Sequence, residues 1–395
     1  MPPHSGRRSS SVSDQAKLVP YRSLPFAFQV TKPMNVKLLL KLLLFTAGLL
    51  LINEYLTVVF SSKNFPPGYP TVNMLVNPDF LSTMHQGFYN EKKNSLDVVF
   101  LGSSHIFSNI NPNMIWDQYG ITSYDFSGHM QDLGTSYYYL QQVFETQSPK
   151  VVVIDIFLNG DRYLGTINAH QNFDFMKNDI HRIKAILNRA ESNYLELFFP
   201  VANYHTRWKD LTRDEIFYDY NKRDFLKGSF IFMDSNSTEV EDLKIPSEIP
   251  ESSLAKKTIH WMLSIQKLCK ENNCQCVFIK TPFYLFETNK LVNFTDIEYY
   301  SYLSAVQKFC DENGMTFLNF VGREKEIGLD YANDYIDSMH MNLSGQEKFS
   351  SYIGKNLQEN FQLENKKGDP DYEQWDRDYE EMRYITDNFS DLFYK

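Results

Sequence analysis

Apolar positions in this chain fall into three patterns. One run, Leu38 to Phe60, is apolar on every face and about as long as a bilayer is thick. Short continuous runs bounded by charge, glycine or proline recur further on, at Leu96–Leu101, Ser123–Phe126, Lys150–Phe157, Cys276–Thr281 and Met315–Phe320. These have the length and composition of buried strands. Segments with helical spacing lie between and after them: Asn111–Tyr119 with Pro112 in its first turn, Leu133–Thr146, Leu254–Glu271, Ile297–Glu312 and Ser344–Asn360, the last capped by Ser344. Strand and helix alternate. That order predicts an α/β fold, a three-layer α/β/α arrangement around a mostly parallel sheet.

The same patterns divide the chain. Residues 1–35 are polar and basic, with Arg7, Arg8, Lys17, Arg22 and Lys32 against a single acid, Asp14, and are expected to be a disordered cytoplasmic tail. Residues 36–60 are expected to form one transmembrane helix, with Lys37 and Lys41 snorkelling at its start. The basic flank places the N-terminus in the cytoplasm and everything after Phe60 outside, in a single-pass protein of the cell membrane. A cleaved signal peptide fits less well, because no small-x-small site follows Ile52. Glu54, in the outer third of the span, either sits at the interface or faces a partner. Residues 61–95, with Pro66, Pro67, Pro70 and Pro78, form a stiff linker. Residues 96–360 form the main domain, with an insertion at about 160–253 that contains a helical run at Asp179–Ser192. Within the insertion, His205, Arg207 and Trp208 either bind a polar, anionic or sugar-bearing substrate or lock the insertion to the core. The acidic, aromatic residues 361–395 are either a docked helix or a tail.

Composition narrows the function. A length of 395 residues and 43% apolar content support a sizeable core, and a net charge of -10 argues against nucleic acid as a partner. Cys269, Cys274, Cys276 and Cys310 allow disulfides in three pairings, or stay as free thiols. Cys274-Gln-Cys276 lacks zinc-ligand spacing, and no phosphate-binding glycine loop occurs, so neither metal nor cofactor is expected.

Two short blocks carry chemistry. The strand Leu96–Leu101 ends in Gly102-Ser103-Ser104-His105, and ligands gather at the carboxyl ends of parallel strands. A serine there is placed to be a nucleophile, though Gly-Ser also ends many strands as a plain turn. Near the other end, Asp337-Ser-Met-His340 sets a carboxylate and an imidazole three residues apart, which a tight loop can aim at one point. A serine nucleophile needs both, a base and a group to orient it.

Together these blocks resemble the SGNH (GDSL-type) hydrolase superfamily, over roughly Leu96 to Leu357 with a divergent middle. The resemblance implies a flavodoxin-like sheet. It also implies Ser104 as nucleophile, with Ser103 in place of the usual aspartate, His340 as base and Asp337 as its orienting acid. It puts the oxyanion hole at the Ser104 N–H, at Gly128 in Phe126-Ser-Gly-His129, and at Asn159 in Phe157-Leu-Asn-Gly160, where the usual Gly-x-Asn-Asp is absent. His105 and His129 are expected to lie beside the triad or the substrate. The Gly-Ser-Ser form is similar to a membrane-anchored branch that acts in teichoic-acid D-alanylation and polysaccharide O-acetylation. That implies transfer of a small acyl group on a cell-envelope polymer, from an acylated carrier, beside a multi-pass membrane acyltransferase. A plain carbohydrate or lipid esterase, or a non-catalytic assembly partner of such an acyltransferase, are the alternatives.

Overall fold

The computed structural model describes residues 35–60, 74–75, 80–156, 164–174, 176–209, 211–217, 223–235, 248–284 and 296–393. Asn159, the expected tail apart from Asn35, and the proline-rich residues 61–73 lie outside these. The chain divides into two units, Met1–Leu51 and Ile52–Lys395. Of the first, residues 35–51 are described. Asn35 opens helix α1 (Val36–Phe60), its Oδ1 accepting the Lys37 N–H at 3.0 Å. The stretch Val36–Thr57 is long and apolar enough to cross a membrane.

In the second unit, strand β1 (Met74–Leu75) is followed by helix α2 (Phe80–Asn90). The helix stands within residues expected to be linker. Its Phe88 stacks on Phe126 at 4.0 Å between ring centroids, and this aromatic contact folds the segment onto the domain. Then come β2 (Val98–Leu101), helices α3 (Ser104–Phe107) and α4 (Pro112–Tyr119), β3 (Ser123–Asp125), helix α5 (Leu133–Thr146) and β4 (Val151–Asp155). Strand β5 (Ile231–Phe232) pairs antiparallel with β1, and β6 (Gln275–Lys280) and β7 (Thr316–Asn319) complete the main sheet.

That sheet has the order β3-β2-β4-β6-β7 and every pair is parallel. Counted among its own strands the order is 2-1-3-4-5, the flavodoxin-like doubly wound arrangement. The pleat explains the layers. Val99 and Leu101 of β2, Val152 and Ile154 of β4 and Phe278 of β6 join a core with residues of α5 (Leu140, Val143) and of the helices Lys256–Glu271 and Asp296–Asn313. Val98 and Phe100, Val151 and Val153, and Val277 and Ile279 face the other way, onto Ile115 of α4 and Phe349, Ile353 and Leu357 of the helix Leu343–Phe361. From β2 the chain winds outward to β3 on one side and then to β4 on the other, so the strand order reverses between β2 and β4 and a crevice opens at their carboxyl ends.

Some local expectations change. The last sheet-packing helix is capped by Asn342, whose side chain accepts the Gly345 N–H, while the Ser344 hydroxyl donates to Asp334. An amide oxygen one position before the first helical residue reaches the orphan N–H, whereas Ser344 already lies inside the helix. Of the two options for the C-terminal segment, the structure takes the docked helix, Glu373–Asp387. Trp375 is buried against Trp116, and the buried Lys227 ammonium lies 4.2 Å from the Trp375 ring and 3.0 Å from Asp378. The four cysteines are free thiols.

Candidate active site

The site starts from a glycine. Gly102 follows β2 with φ +148, and a Cβ there would stand 2.6 Å from the Cβ of Asp155 on the neighbouring strand. Without one, the turn passes close over the end of β4. Ser103 then caps α3: its Oγ accepts the His105 N–H at 3.4 Å and donates to Asp155 Oδ2 at 2.9 Å. Ser104 is thereby the first residue beyond the turn, partly exposed at the carboxyl end of the sheet.

The partner loop is built locally. Asp337 Oδ1 accepts the N–H groups of Met339 at 2.7 Å and His340 at 2.8 Å, and these curl the loop so that Oδ2 meets His340 Nδ1 at 2.8 Å. Burial alone would raise the Asp337 carboxyl, but the His340 hydrogen bond and charge and the two backbone N–H groups outweigh it and hold it below its ordinary value. His340 Nε2 lies 2.8 Å from Ser104 Oγ. Serine, imidazole and carboxylate therefore form one continuous hydrogen-bonded chain.

Asn109, just beyond the helix that Ser104 opens, ties this loop to that segment. Its Nδ2 donates to the Met339 carbonyl at 3.0 Å and to Thr281 Oγ1 at 3.2 Å, and its Oδ1 accepts the Met341 N–H at 2.9 Å. One buried amide thus brackets His340 on both sides.

Beneath Ser104 lies a buried charged group. Lys280, at the end of β6, sits 3.6 Å from Asp155 and 2.7 Å from His105 Nδ1, and the Lys280 and Asp155 side chains are fully buried. Burial lowers Lys280 to about 8 against the pull of Asp155. Burial, then the Lys280 and His340 charges, hold His105 well below the ordinary imidazole value. Burial, with His340 and His85, lowers His129 to about 3. The His105 ring stands 5.7 Å from that of His340, and Phe232 of β5 faces His340 at 6.3 Å.

The other expected site residues fare differently. The Gly128 N–H, an expected oxyanion donor, donates to the Gly102 carbonyl at 3.0 Å and is engaged in the turn in this structure. Its lack of a Cβ instead admits Asn172, whose Oδ1 would stand 2.5 Å from one. Asn159 lies outside the described residues. His205 and Arg207 share a short helical turn but bond to the carbonyls of Ala202 and Phe60, and Trp208 is 65% exposed under Lys209; none of these contacts is with the triad. Sequence reading passed over Asn109, Asp155, Lys280 and Phe232. An ionisable residue closing each of two apolar strands, Asp155 and Lys280, was the signal available.

No family model matches this chain, and no curated protein matches it. Among solved structures, it is similar to a protein from Bacteroides fragilis described as an acylhydrolase, at 11% identity and TM-score 0.37 over 72% of this chain and 100% of that one. It is also similar to a GDSL-like lipase from Bacteroides thetaiotaomicron, at 11% identity and TM-score 0.35, over 71% of this chain and 98% of the other. A third is a protein from Desulfitobacterium hafniense described as a lipolytic protein of the G-D-S-L family, at 10% identity and TM-score 0.31, over 65% and 97%. At these values the chemistry of the site rests on its own geometry.

Proposed function

We propose that this protein is a membrane-anchored serine enzyme of acyl esters, with Ser104 as nucleophile, His340 as general base and Asp337 as the group that orients the imidazole. The observation that carries this reading is the chain Ser104 Oγ, His340 Nε2, His340 Nδ1, Asp337 Oδ2, with 2.8 Å at both links. As Oγ attacks the ester carbonyl carbon, its proton passes to Nε2. Asp337, held ionised, accepts the Nδ1 proton as a hydrogen bond and stabilises the imidazolium. The tetrahedral oxyanion collapses, the C–O bond to the leaving alcohol breaks, and that alcohol takes the proton from His340. The acyl group stays on Ser104 until a second hydroxyl, deprotonated by His340, removes it. The Ser104 N–H supplies one oxyanion donor, and Asn159 is proposed as another.

If water is the second hydroxyl the enzyme is an esterase; if it is a polymer hydroxyl, a transferase. The apolar helix α1 and its basic flank support an extracytoplasmic site tethered to the cell membrane. For such a site the proposed reaction moves a small acyl group, acetyl or D-alanyl, between a carrier and a cell-envelope polymer beside a multi-pass acyltransferase. The test is the detergent-solubilised full chain treated with a fluorophosphonate probe and with nitrophenyl acetate. Labelling and turnover that vanish in Ser104→Ala support the reading. Equal labelling of the variant sinks it. Adding a polysaccharide acceptor and analysing the acyl product separates transfer from hydrolysis.

A further inference from the structure

Lys280 is a cation buried next to the site, and the steps above do not use it. An ammonium carries three donors and no acceptor. At 2.7 Å from Lys280 Nζ, His105 Nδ1 therefore presents its lone pair, and the ring proton sits on Nε2. We infer that Lys280 is a positioning residue acting through His105, which it fixes as the neutral Nε2–H tautomer, so that His340 alone becomes the cation when it takes the proton of Ser104. This rests on the proposed role of Ser104 and deepens it.

The surroundings of His105 support the assignment. At the end of β6 it meets Lys280, and just after that strand Thr281, whose Oγ1 lies 3.5 Å from Nδ1. Phe283 packs edge-on at 5.7 Å. The imidazole of His340, backed by Asp337, stands 5.7 Å away in a T-shaped arrangement. Behind Lys280, Asp155 neutralises the ammonium, and it is held in turn by Ser103. Tyr299 is buried near Asp155, and its hydroxyl is held above its ordinary value by burial, Tyr302 and Asp155, so it adds no charge. His129, which feels the His340 charge, is held neutral as well, chiefly by burial. A second imidazolium this close to His340 would oppose its protonation in the transition state, because charges in a desolvated site interact strongly. Burial disfavours that second charge first, and Lys280, paired with Asp155, adds to this through its charge and by occupying the nitrogen that His105 would need to protonate.

The first measurement needs no variant and no substrate. Histidine-selective 15N NMR of the full-length protein should show His105 Nδ1 at a lone-pair shift and Nε2 protonated throughout pH 5 to 8. A protonated Nδ1 in that range overturns the proposal, whatever the fate of Ser104 as nucleophile. The second uses Asp155→Asn with Lys280→Met, which removes both buried charges together. In that double variant burial still holds His105 below the ordinary imidazole value but the Lys280 contribution is gone, so by the same NMR Nδ1 should take a proton at higher pH than in wild-type protein, with kcat/KM falling below wild type on the acid side of that pH and KM changed less than about twofold. Adding His105→Gln to the double variant should remove that extra acid-side loss. Protonation of Nδ1 at the wild-type pH in the double variant overturns Lys280 as the group that holds it neutral, and no extra acid-side loss overturns the link from His105 to His340. Loss of ester turnover in wild-type protein would instead overturn the triad reading and leave the NMR result standing.

Discussion

Ser104 and His340 are 236 residues apart in sequence and 2.8 Å apart in space, with Asp337 joined behind them. Members of such a unit are strongly non-additive. His340→Ala should lose about as much kcat as Ser104→Ala with His340→Ala together, roughly 10³-fold or more by analogy with other triads, and Asp337→Asn somewhat less. Turnover of nitrophenyl acetate by the four proteins checks this. Near-wild-type turnover by His340→Ala would remove His340 as the base.

Asn109 acts on the same loop without touching the reacting atoms. Asn109→Ala removes three hydrogen bonds in a buried place and leaves the Met341 N–H and Met339 carbonyl without that partner. The expected cost is about 1 to 3 kcal/mol of stability. Because His340 is then less well held, kcat should fall more than KM rises. Thermal unfolding and steady-state kinetics on one preparation test both parts.

Gly102→Ala puts a methyl 2.6 Å from Asp155 Cβ and 3.0 Å from Ile106 Cγ1, at a φ that L residues rarely adopt. The turn must shift, so fluorophosphonate labelling of Ser104 should slow markedly even where the protein still folds. Unchanged labelling kinetics would show that the turn is looser than its packing implies.

Asp125 is fully buried at the end of β3, and neither carboxyl oxygen has a hydrogen-bond partner among the described residues. Burial, then nearby Asp224, push its carboxyl well above the ordinary value. The folded protein therefore holds a proton that the unfolded chain releases above about pH 4. Stability from this group is complete below that pH and is lost as pH rises toward the raised folded value. Asp224, raised to about 6 by burial, adds loss of the same sign between about 4 and 6. Asp125→Asn should thus raise stability at pH 7 by about 1 to 3 kcal/mol and have little effect near pH 3. Denaturant unfolding at the two pH values decides it.

The proposed topology, with the basic flank holding the N-terminus inside, predicts that a reporter active only outside the cytoplasm is active when fused after Lys395. A cytoplasmic signal from the fusion would remove the extracytoplasmic placement.

Local features were legible in the sequence alone. Strand runs such as Val151–Asp155 declare themselves by continuous β-branched residues, and the alternation with helices fixes a parallel sheet between two layers. Helix α1 follows from the length of its predominantly apolar run. The Asp337 turn is also local, since three residues of spacing suffice for its carboxylate to reach the His340 N–H and ring. The tertiary structure decided which of the nine histidines faces Ser104, because that depends on strand order and on where the loop before the last sheet-packing helix lands. It also decided that Lys280 and Asp155, on neighbouring parallel strands, meet under the turn. Tertiary packing likewise committed the Gly128 N–H to Gly102, turned Arg207 to the Phe60 carbonyl, and docked the C-terminal helix through Trp375. Each of these is a contact between residues far apart in the chain. Periodicity gives the face a side chain occupies, but only packing and register determine what it meets there.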